Sequence, residues 1–103
     1  MIIVSVMYPA SEGSRFDMEY YLGTHVPLVN ARWSPCGLRE AKVLRGSAAP
    51  GGGMPTYSLM ALLSFESAQD FQRALDQHGK EILADIPNFT NVQPVVQINE
   101  VMI

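Results

Sequence analysis

Four short apolar segments along the chain have the composition of β-strands. Ile2–Tyr8 is rich in β-branched residues and stops at Pro9, which is typical of a strand end. Tyr57–Phe65 is apolar at nearly every position, which predicts a central strand covered on both faces. Leu38–Arg45 is the most polar of the set and indicates an edge strand, and Val95–Met102 is the fourth.

The longest amphipathic segment, Phe16–Trp33, predicts a helix because its apolar residues recur at helical spacing. Gly23 loosens this helix, and Pro27 has no N–H to donate to the carbonyl of Gly23. We therefore predict a kink that holds His25 one turn beyond Tyr21. This is the place in the sequence where we expect chemistry.

A second amphipathic segment begins after Ser67, whose side chain is suited to cap a helix. Phe71 and Ile82 belong to its apolar face, which we expect to lie inward. Gly79 costs a helix about 1 kcal/mol relative to alanine, so a bend or restart is predicted there.

The order of the predicted elements is strand, helix, strand, strand, helix, strand in a single domain over residues 1–103. Right-handed crossovers favour the split βαβ arrangement for this order. The predicted fold is α+β and ferredoxin-like, a βαββαβ chain with a four-stranded antiparallel sheet and both helices on one face. Since the first and third strands are apolar on both sides, the uncovered face should meet the sheet of a second copy, and we predict a homodimer.

Composition narrows the possible partners and the compartment. The net charge of −3 argues against nucleic acid or an anionic membrane as partner. Cys36 is the only cysteine, so no intramolecular disulfide forms. The apolar Ile2–Met7 has no preceding basic residue and is too short for a signal sequence or a membrane span. We expect a cytoplasmic protein, with a flexible loop over the glycine-rich Gly46–Pro55.

His25 is the first candidate for chemistry, because an imidazole can act near neutral pH as acid, base, hydrogen-bond donor or ligand. Tyr20 or Tyr21, one turn earlier, offers a hydroxyl that can fix its tautomer or orient a substrate oxygen. The spacing leaves a structural alternative open, in which a half-buried His25 bonds to a carbonyl freed by Pro27.

His78 and Asp85 are weaker candidates. His78 lies on an otherwise apolar helix face, where a satisfied or partly exposed histidine is favoured over a functional one. Asp85 lies near a helix end, where the dipole disfavours a carboxylate unless a partner such as a histidine compensates; a solvated loop aspartate is the alternative. Two histidines without a matching acidic cluster make a poor transition-metal site, and no cofactor is predicted.

One run of residues resembles a known family. This run is Phe16-Asp17-x-x-Tyr20-Tyr21-x-x-x-His25-x-Pro27-Leu28. It resembles the signature of the EthD-like family, named for ethyl tert-butyl ether degradation. The ending DIPNFTN, followed by Gln93-Pro94-Val95, is also similar to that family. The resemblance implies a dimeric α/β barrel. It implies His25 and Tyr21 as the functional pair, with Tyr20, His78 and Asp85 as further pocket members that contact the substrate.

Three hypotheses about function follow. The first is an enzyme or enzyme accessory that acts on a small, apolar, oxygenated compound by proton chemistry at His25, as a cofactor-independent oxidoreductase or isomerase. The second is a non-catalytic carrier or binding protein for a small ligand in the same pocket. The third is haem binding through His25, which absorbance in the Soret region after addition of haem would separate from the others.

Overall fold

The sheet has four strands, which a computed structural model of Met1–Ile103 places in the order β2-β3-β1-β4. These are β1 (Ile2–Pro9), β2 (Leu38–Arg45), β3 (Tyr57–Phe65) and β4 (Val95–Glu100). All neighbouring strands are antiparallel. The apolar β1 and β3 are central and the more polar β2 is at an edge, as their compositions predicted.

The central strand β1 sets the register of both its neighbours. Val4 pairs with Leu63 of β3 on one side and with Ile98 of β4 on the other. Tyr8, near the end of β1, pairs with Leu59. Because directly paired residues point to the same side of a sheet, these five side chains share one face.

Two helices cover that face. The first helix consists of three consecutive segments, an α-helical Met18–Tyr20, a π-helical Tyr21–His25 and an α-helical Val26–Trp33. The second helix is Ala68–Asp85. Side chains of both helices share one core with the central strands, which confirms the predicted α+β, ferredoxin-like arrangement.

The first helix continues through the predicted kink by widening into a π-turn. The N–H of Val26 donates to the carbonyl of Tyr21, five residues back, instead of four. Pro27 explains the change, because its ring would crowd the carbonyl of Gly23 in regular α geometry and it has no N–H to donate there. The wider turn keeps the helix unbroken and buries His25.

The second helix is capped by Ser67, as predicted, with its hydroxyl accepting from the N–H of Asp70 at 3.2 Å. The expected restart at Gly79 is wrong, because the helix runs without interruption over Ala68–Asp85. The alternative of a bend stays a prediction. Gly79 is buried, and a Cβ there would lie 3.3 Å from the side chain of Leu75. The glycine therefore serves close packing.

Most of the buried apolar side chains form one cluster between the helices and the sheet, which we call the main core. It consists of Val4, Val29, Trp33, Leu38, Ala61, Leu63, Phe65, Phe71, Ala74 and Ile82. The other face of the sheet carries alternate residues of the central strands, among them the half-buried Ile3, Met7, Met60 and Leu62. The two helices leave this second face uncovered.

The glycine-rich Gly46–Pro55 has no helix or strand. Two hydrogen bonds between Ala49 and the glycines at 52 and 53 close a turn within it. Its expected flexibility stays a prediction. Neither helix combines the length and the apolar character that crossing a membrane requires.

Candidate functional site

A second, smaller cluster of buried side chains lies beside the main core, and we call it the tyrosine cluster. It consists of Tyr8 from β1, Tyr21 from the π-turn, Leu59 from β3 and Phe89 after the second helix. The ring of Tyr8 meets Tyr21 edge-on at a centroid distance of 6.1 Å and Phe89 at 5.8 Å. Such edge-to-face contacts fix the direction of each ring.

His25 is buried against this cluster, with 4% of its surface exposed. Its ring stacks on Tyr21 at a centroid distance of 5.5 Å and lies 4.6 Å from the ring of Phe89. Its Nδ1 lies 2.9 Å from Oδ2 of Asp85, the last residue of the second helix. The two helices therefore meet through a histidine–carboxylate pair.

Asp85 is held by more than the histidine. Its Oδ1 accepts from the hydroxyl of Tyr20 at 2.7 Å and from the side-chain amide of Asn88 at 3.0 Å. Burial disfavours the charged carboxylate, but the three hydrogen bonds to its oxygens outweigh burial and lower the pKa of Asp85. The hydrogen bond from Tyr20 to Asp85 is also the main reason that the pKa of Tyr20 is raised.

The charged carboxylate determines the tautomer of the histidine. Because a carboxylate only accepts, Nδ1 of His25 donates to Asp85 and Nε2 carries the lone pair in the neutral ring. No protein group hydrogen-bonds to Nε2. The sequence offered a tyrosine hydroxyl either to fix this tautomer or to orient a substrate oxygen. The first alternative is wrong, since Tyr21 contacts His25 with its ring and Asp85 sets the tautomer, whereas the second stays a prediction. The histidine partner suggested for Asp85 is confirmed.

A cavity of about 80 Å³ adjoins the pair, between the sheet and both helices. Its wall is almost entirely apolar, and three of the lining residues, Tyr8, Tyr21 and His25, have a side-chain polar atom without a protein partner. Burial raises the pKa of the Tyr21 hydroxyl to about 12 and raises that of Tyr8 further. Both phenols are therefore neutral hydrogen-bond donors at physiological pH.

The cavity opens toward a surface groove of about 460 Å³. Four residues line both spaces, Leu83 and Ile86 at the end of the second helix and Pro94 and Val96 at the start of β4. Leu83 and Val96 are about half exposed, at 56% and 50%. A ligand would enter between these apolar side chains.

The structure brings together four of the five candidates from the sequence. His25 and Tyr21 line the cavity, whereas Tyr20 and Asp85 lie next to His25 but outside the lining. Asp85 hydrogen-bonds to His25, and Tyr20 hydrogen-bonds to Asp85. Direct contact of Tyr20 or Asp85 with a ligand stays a prediction. His78 neither lines the cavity nor joins this network; it lies on the second helix, three residues before Glu81.

Sequence reasoning missed Tyr8 and Asn88 as members of the site. Tyr8 could have been found, because strand alternation already predicts that it shares a face with Val4, and a tyrosine hydroxyl on an otherwise apolar row is a signal. Asn88 belongs to a turn without periodicity, where composition and spacing carry no comparable sign.

The size of the cavity beside His25 argues against haem. Pockets that hold a drug-sized ligand usually measure about 300–1,000 Å³, and the cavity beside His25 is much smaller at about 80 Å³. No group of three or more His, Cys, Asp or Glu side chains is arranged to hold a metal ion.

Comparisons with known proteins agree on one family. The family model for the EthD domain matches residues 13–93. The crystal structure of an EthD-like protein from Ralstonia eutropha JMP134 is 42% identical, with a TM-score of 0.91 over 99% of this chain and 92% of that one. An EthD family protein from Bacillus halodurans C-125 is 28% identical, with a TM-score of 0.79 over 99% of both chains.

A third structure shares the fold alone. It is a dimeric ferredoxin-like protein from an uncultured marine organism, 12% identical, with a TM-score of 0.57 over 100% of this chain and 96% of that one. The comparison with curated proteins gives no match.

Proposed function

The chain belongs to the EthD family, and we propose that it binds a small, mostly apolar, oxygenated compound and moves a proton on it through His25. The observation that carries this proposal is the buried His25–Asp85 pair at the wall of an apolar cavity. A buried histidine held in one tautomer by a carboxylate, with its other nitrogen unbonded, is a common arrangement for a general base.

The chemistry of the pair supports proton transfer without a cofactor. Nε2 of His25 takes a proton from the bound compound, and the adjacent Asp85 stabilises the imidazolium that forms. The same imidazolium can return the proton to another atom of the compound, which makes an isomerase-type reaction possible. Positioned acid–base groups of this kind typically contribute about 10²–10⁴-fold to a rate.

The volume and the apolar lining of the cavity indicate how large and how polar the compound is. A void of about 150 Å³ lined by apolar side chains holds benzene in another protein, and the space here is about 80 Å³. The compound is therefore expected to have only a few non-hydrogen atoms, or to extend past Leu83 and Val96 into the groove. Its apolar part meets the wall, and its oxygen meets the few polar groups.

A binding screen with a histidine variant tests the proposal. Small ketones, ethers, alcohols and esters are added while the thermal midpoint and NMR spectrum of the protein are followed. We expect at least one class to bind, and His25→Ala to abolish the response or the turnover at a cost of about 1–2 kcal/mol in stability. His78→Ala is the matched control and should respond as the wild type does.

The outcomes separate the proposal from its alternatives. An unchanged ligand response in His25→Ala, together with a clear loss of stability, would show that His25 is only structural. Binding that depends on His25 without conversion of any bound compound would indicate the non-catalytic carrier.

We also propose that two copies associate through the uncovered face of the sheet. The side chains of Ile3, Met7, Met60 and Leu62 give this face apolar surface that no helix covers. The ferredoxin-like protein from the marine organism is described as dimeric, which supports the idea. In light scattering at micromolar concentration, the protein should have about twice its mass of 11.3 kDa.

A charge on the sheet sharpens the dimer test. Leu62→Lys should shift the protein to monomer, because a buried ammonium would have no partner in an apolar interface. Leu22→Lys, at an exposed position of the first helix, should leave the mass unchanged. A monomeric wild type would contradict the proposed association.

A further inference from the structure

The two tyrosines of the tyrosine cluster differ from the other buried polar side chains. Tyr8 and Tyr21 are each 2% exposed, and neither hydroxyl has a hydrogen-bond partner within the protein. By contrast, Nε1 of Trp33 donates to the carbonyl of Ala74, and the hydroxyl of Thr90 donates to the carbonyl of Arg15. Buried hydroxyls without a partner are uncommon in folded proteins and call for an explanation.

Open space next to these hydroxyls accounts for their lack of a protein partner. No side-chain oxygen or nitrogen that is fully sealed from solvent lacks a partner. The hydroxyls of Tyr8 and Tyr21 therefore adjoin open space, and both residues line the cavity beside His25. Electrostatic repulsion from Tyr21 adds to burial in raising the pKa of Tyr8, which is consistent with two hydroxyls near each other.

We propose that Tyr8 and Tyr21 donate hydrogen bonds to one oxygen of the ligand, and that the ligand is a small carbonyl compound with a hydrogen on the carbon next to the carbonyl. This inference rests on the proposed function of His25 and goes beyond it in naming Tyr8 and the substrate class. Two donors and one basic nitrogen around an apolar space match a carbonyl oxygen and a neighbouring C–H bond.

The reaction balances without a further reactant. Nε2 of His25 removes the proton from the α-carbon, and the C–H electron pair becomes a carbon–carbon double bond. The π-electrons of the carbonyl move onto its oxygen, which becomes an enolate held by the hydroxyls of Tyr8 and Tyr21. Return of the proton from His25 to either end of the enolate system restores the carbonyl compound or gives its isomer.

The test uses 2-butanone labelled with ¹³C at the carbonyl carbon. Two signals are read by NMR: the chemical shift of that carbon on binding, and the exchange of its α-hydrogens in D₂O. We expect the wild type to move the carbonyl signal downfield and to accelerate exchange. Tyr8→Phe should reduce the shift, because Tyr21 remains as a donor, and should lose about 10²-fold of the exchange rate, the usual effect of removing one donor to an oxyanion.

The control keeps the experiment interpretable. Tyr57→Phe removes a hydroxyl at the start of β3 that does not line the cavity, and it should behave as the wild type. Thermal unfolding checks that Tyr8→Phe is folded, which its preserved ring contacts favour.

Each other outcome is informative. A full carbonyl shift in Tyr8→Phe would overturn the role of Tyr8, even if His25→Ala still abolishes exchange. Binding of diethyl ether but not of 2-butanone would overturn the carbonyl class and leave the proposed function standing. If neither compound binds and nothing in the screen responds to the loss of His25, both proposals fail together.

Discussion

The main core and the tyrosine cluster lie side by side on one face of the sheet, yet they differ in whether their buried polar atoms have hydrogen-bond partners. In the main core, the one indole N–H has its acceptor at 3.0 Å, in the carbonyl of Ala74. In the tyrosine cluster and its neighbour His25, two hydroxyls and one ring nitrogen have no protein partner. The indole N–H of the first region has its partner within the protein, whereas the second region has hydrogen-bonding groups left for a ligand.

The difference has a structural origin. Strand alternation and helix periodicity supply only apolar side chains to the main core. The tyrosine cluster forms where the π-turn, the end of β1 and the turn after the second helix converge. Irregular segments admit polar side chains that a regular helix face would exclude, and functional groups are often found there.

The largest expected effect is in the main core. Phe65→Ala should lower the free energy of unfolding by about 3–5 kcal/mol, because Phe65 is fully buried and the cavity left behind cannot collapse completely. Urea unfolding measures the change. Leu44→Ala, at a position of β2 that is 42% exposed, is the control and should cost much less. Equal costs would remove the distinction between core and surface on which the comparison depends.

The next effect concerns the carboxylate behind the histidine. Asp85→Asn should lower stability at pH 7 by about 1–3 kcal/mol, since it weakens hydrogen bonds to a charged group that is only 14% exposed. It should also slow any proton transfer by His25, whose tautomer would no longer be set by a charge.

The pH dependence of stability checks the assignment of that charge. The pKa of Asp85 is lowered in the folded protein from an ordinary value of 3.8. Its stabilising contribution is therefore fully present above the unfolded pKa and is lost as the pH falls through the folded pKa. The difference in free energy of unfolding between the wild type and Asp85→Asn, measured with urea, should be largest at pH 7 and should decrease below about pH 4. A gap independent of pH would mean that the carboxylate is not stabilised in the charged form.

The tyrosine hydroxyls should contribute little to stability. Tyr8→Phe and Tyr21→Phe should each change the free energy of unfolding by less than about 1 kcal/mol, because no protein hydrogen bond is lost. Thr90→Val removes a buried hydroxyl that donates at 2.6 Å, so it should cost about 1–3 kcal/mol. If all three variants cost the same in thermal or urea unfolding, the two tyrosine hydroxyls have protein partners after all.

The smallest effect is expected far from both regions, in the glycine-rich loop. Doubling a flexible loop changes its closure free energy by only about 0.6 kcal/mol, so removal of Gly51–Gly53 should alter stability by less than that amount. Backbone amide relaxation of the wild type should show fast motion in Gly46–Pro55. A large loss of stability on deletion would show that this loop packs against the rest of the molecule or against a partner.

Much of the fold was predictable because its signals are local. The compositions of the four strands placed β1 and β3 in the centre and β2 at an edge, and Ser67 marked the start of the second helix. The restart predicted at Gly79 did not occur, and the buried glycine lies within the continuous helix Ala68–Asp85 in spite of its intrinsic cost. The kink predicted at Pro27 became a π-turn, an adjustment that propensities alone do not describe.

The sequence by itself determined the order of the elements, the apolar faces and the disturbed turn that carries His25, since these depend on residues within a few positions of one another. Only the tertiary structure decided what His25 meets. Asp85 is 60 residues away along the chain, and its distance from His25 depends on how the two helices pack on the sheet. Tyr8 reaches the same cavity from a strand, although its position in β1 shows only which face it shares. Side-chain pairing across elements depends on packing angles and distances that no periodicity specifies.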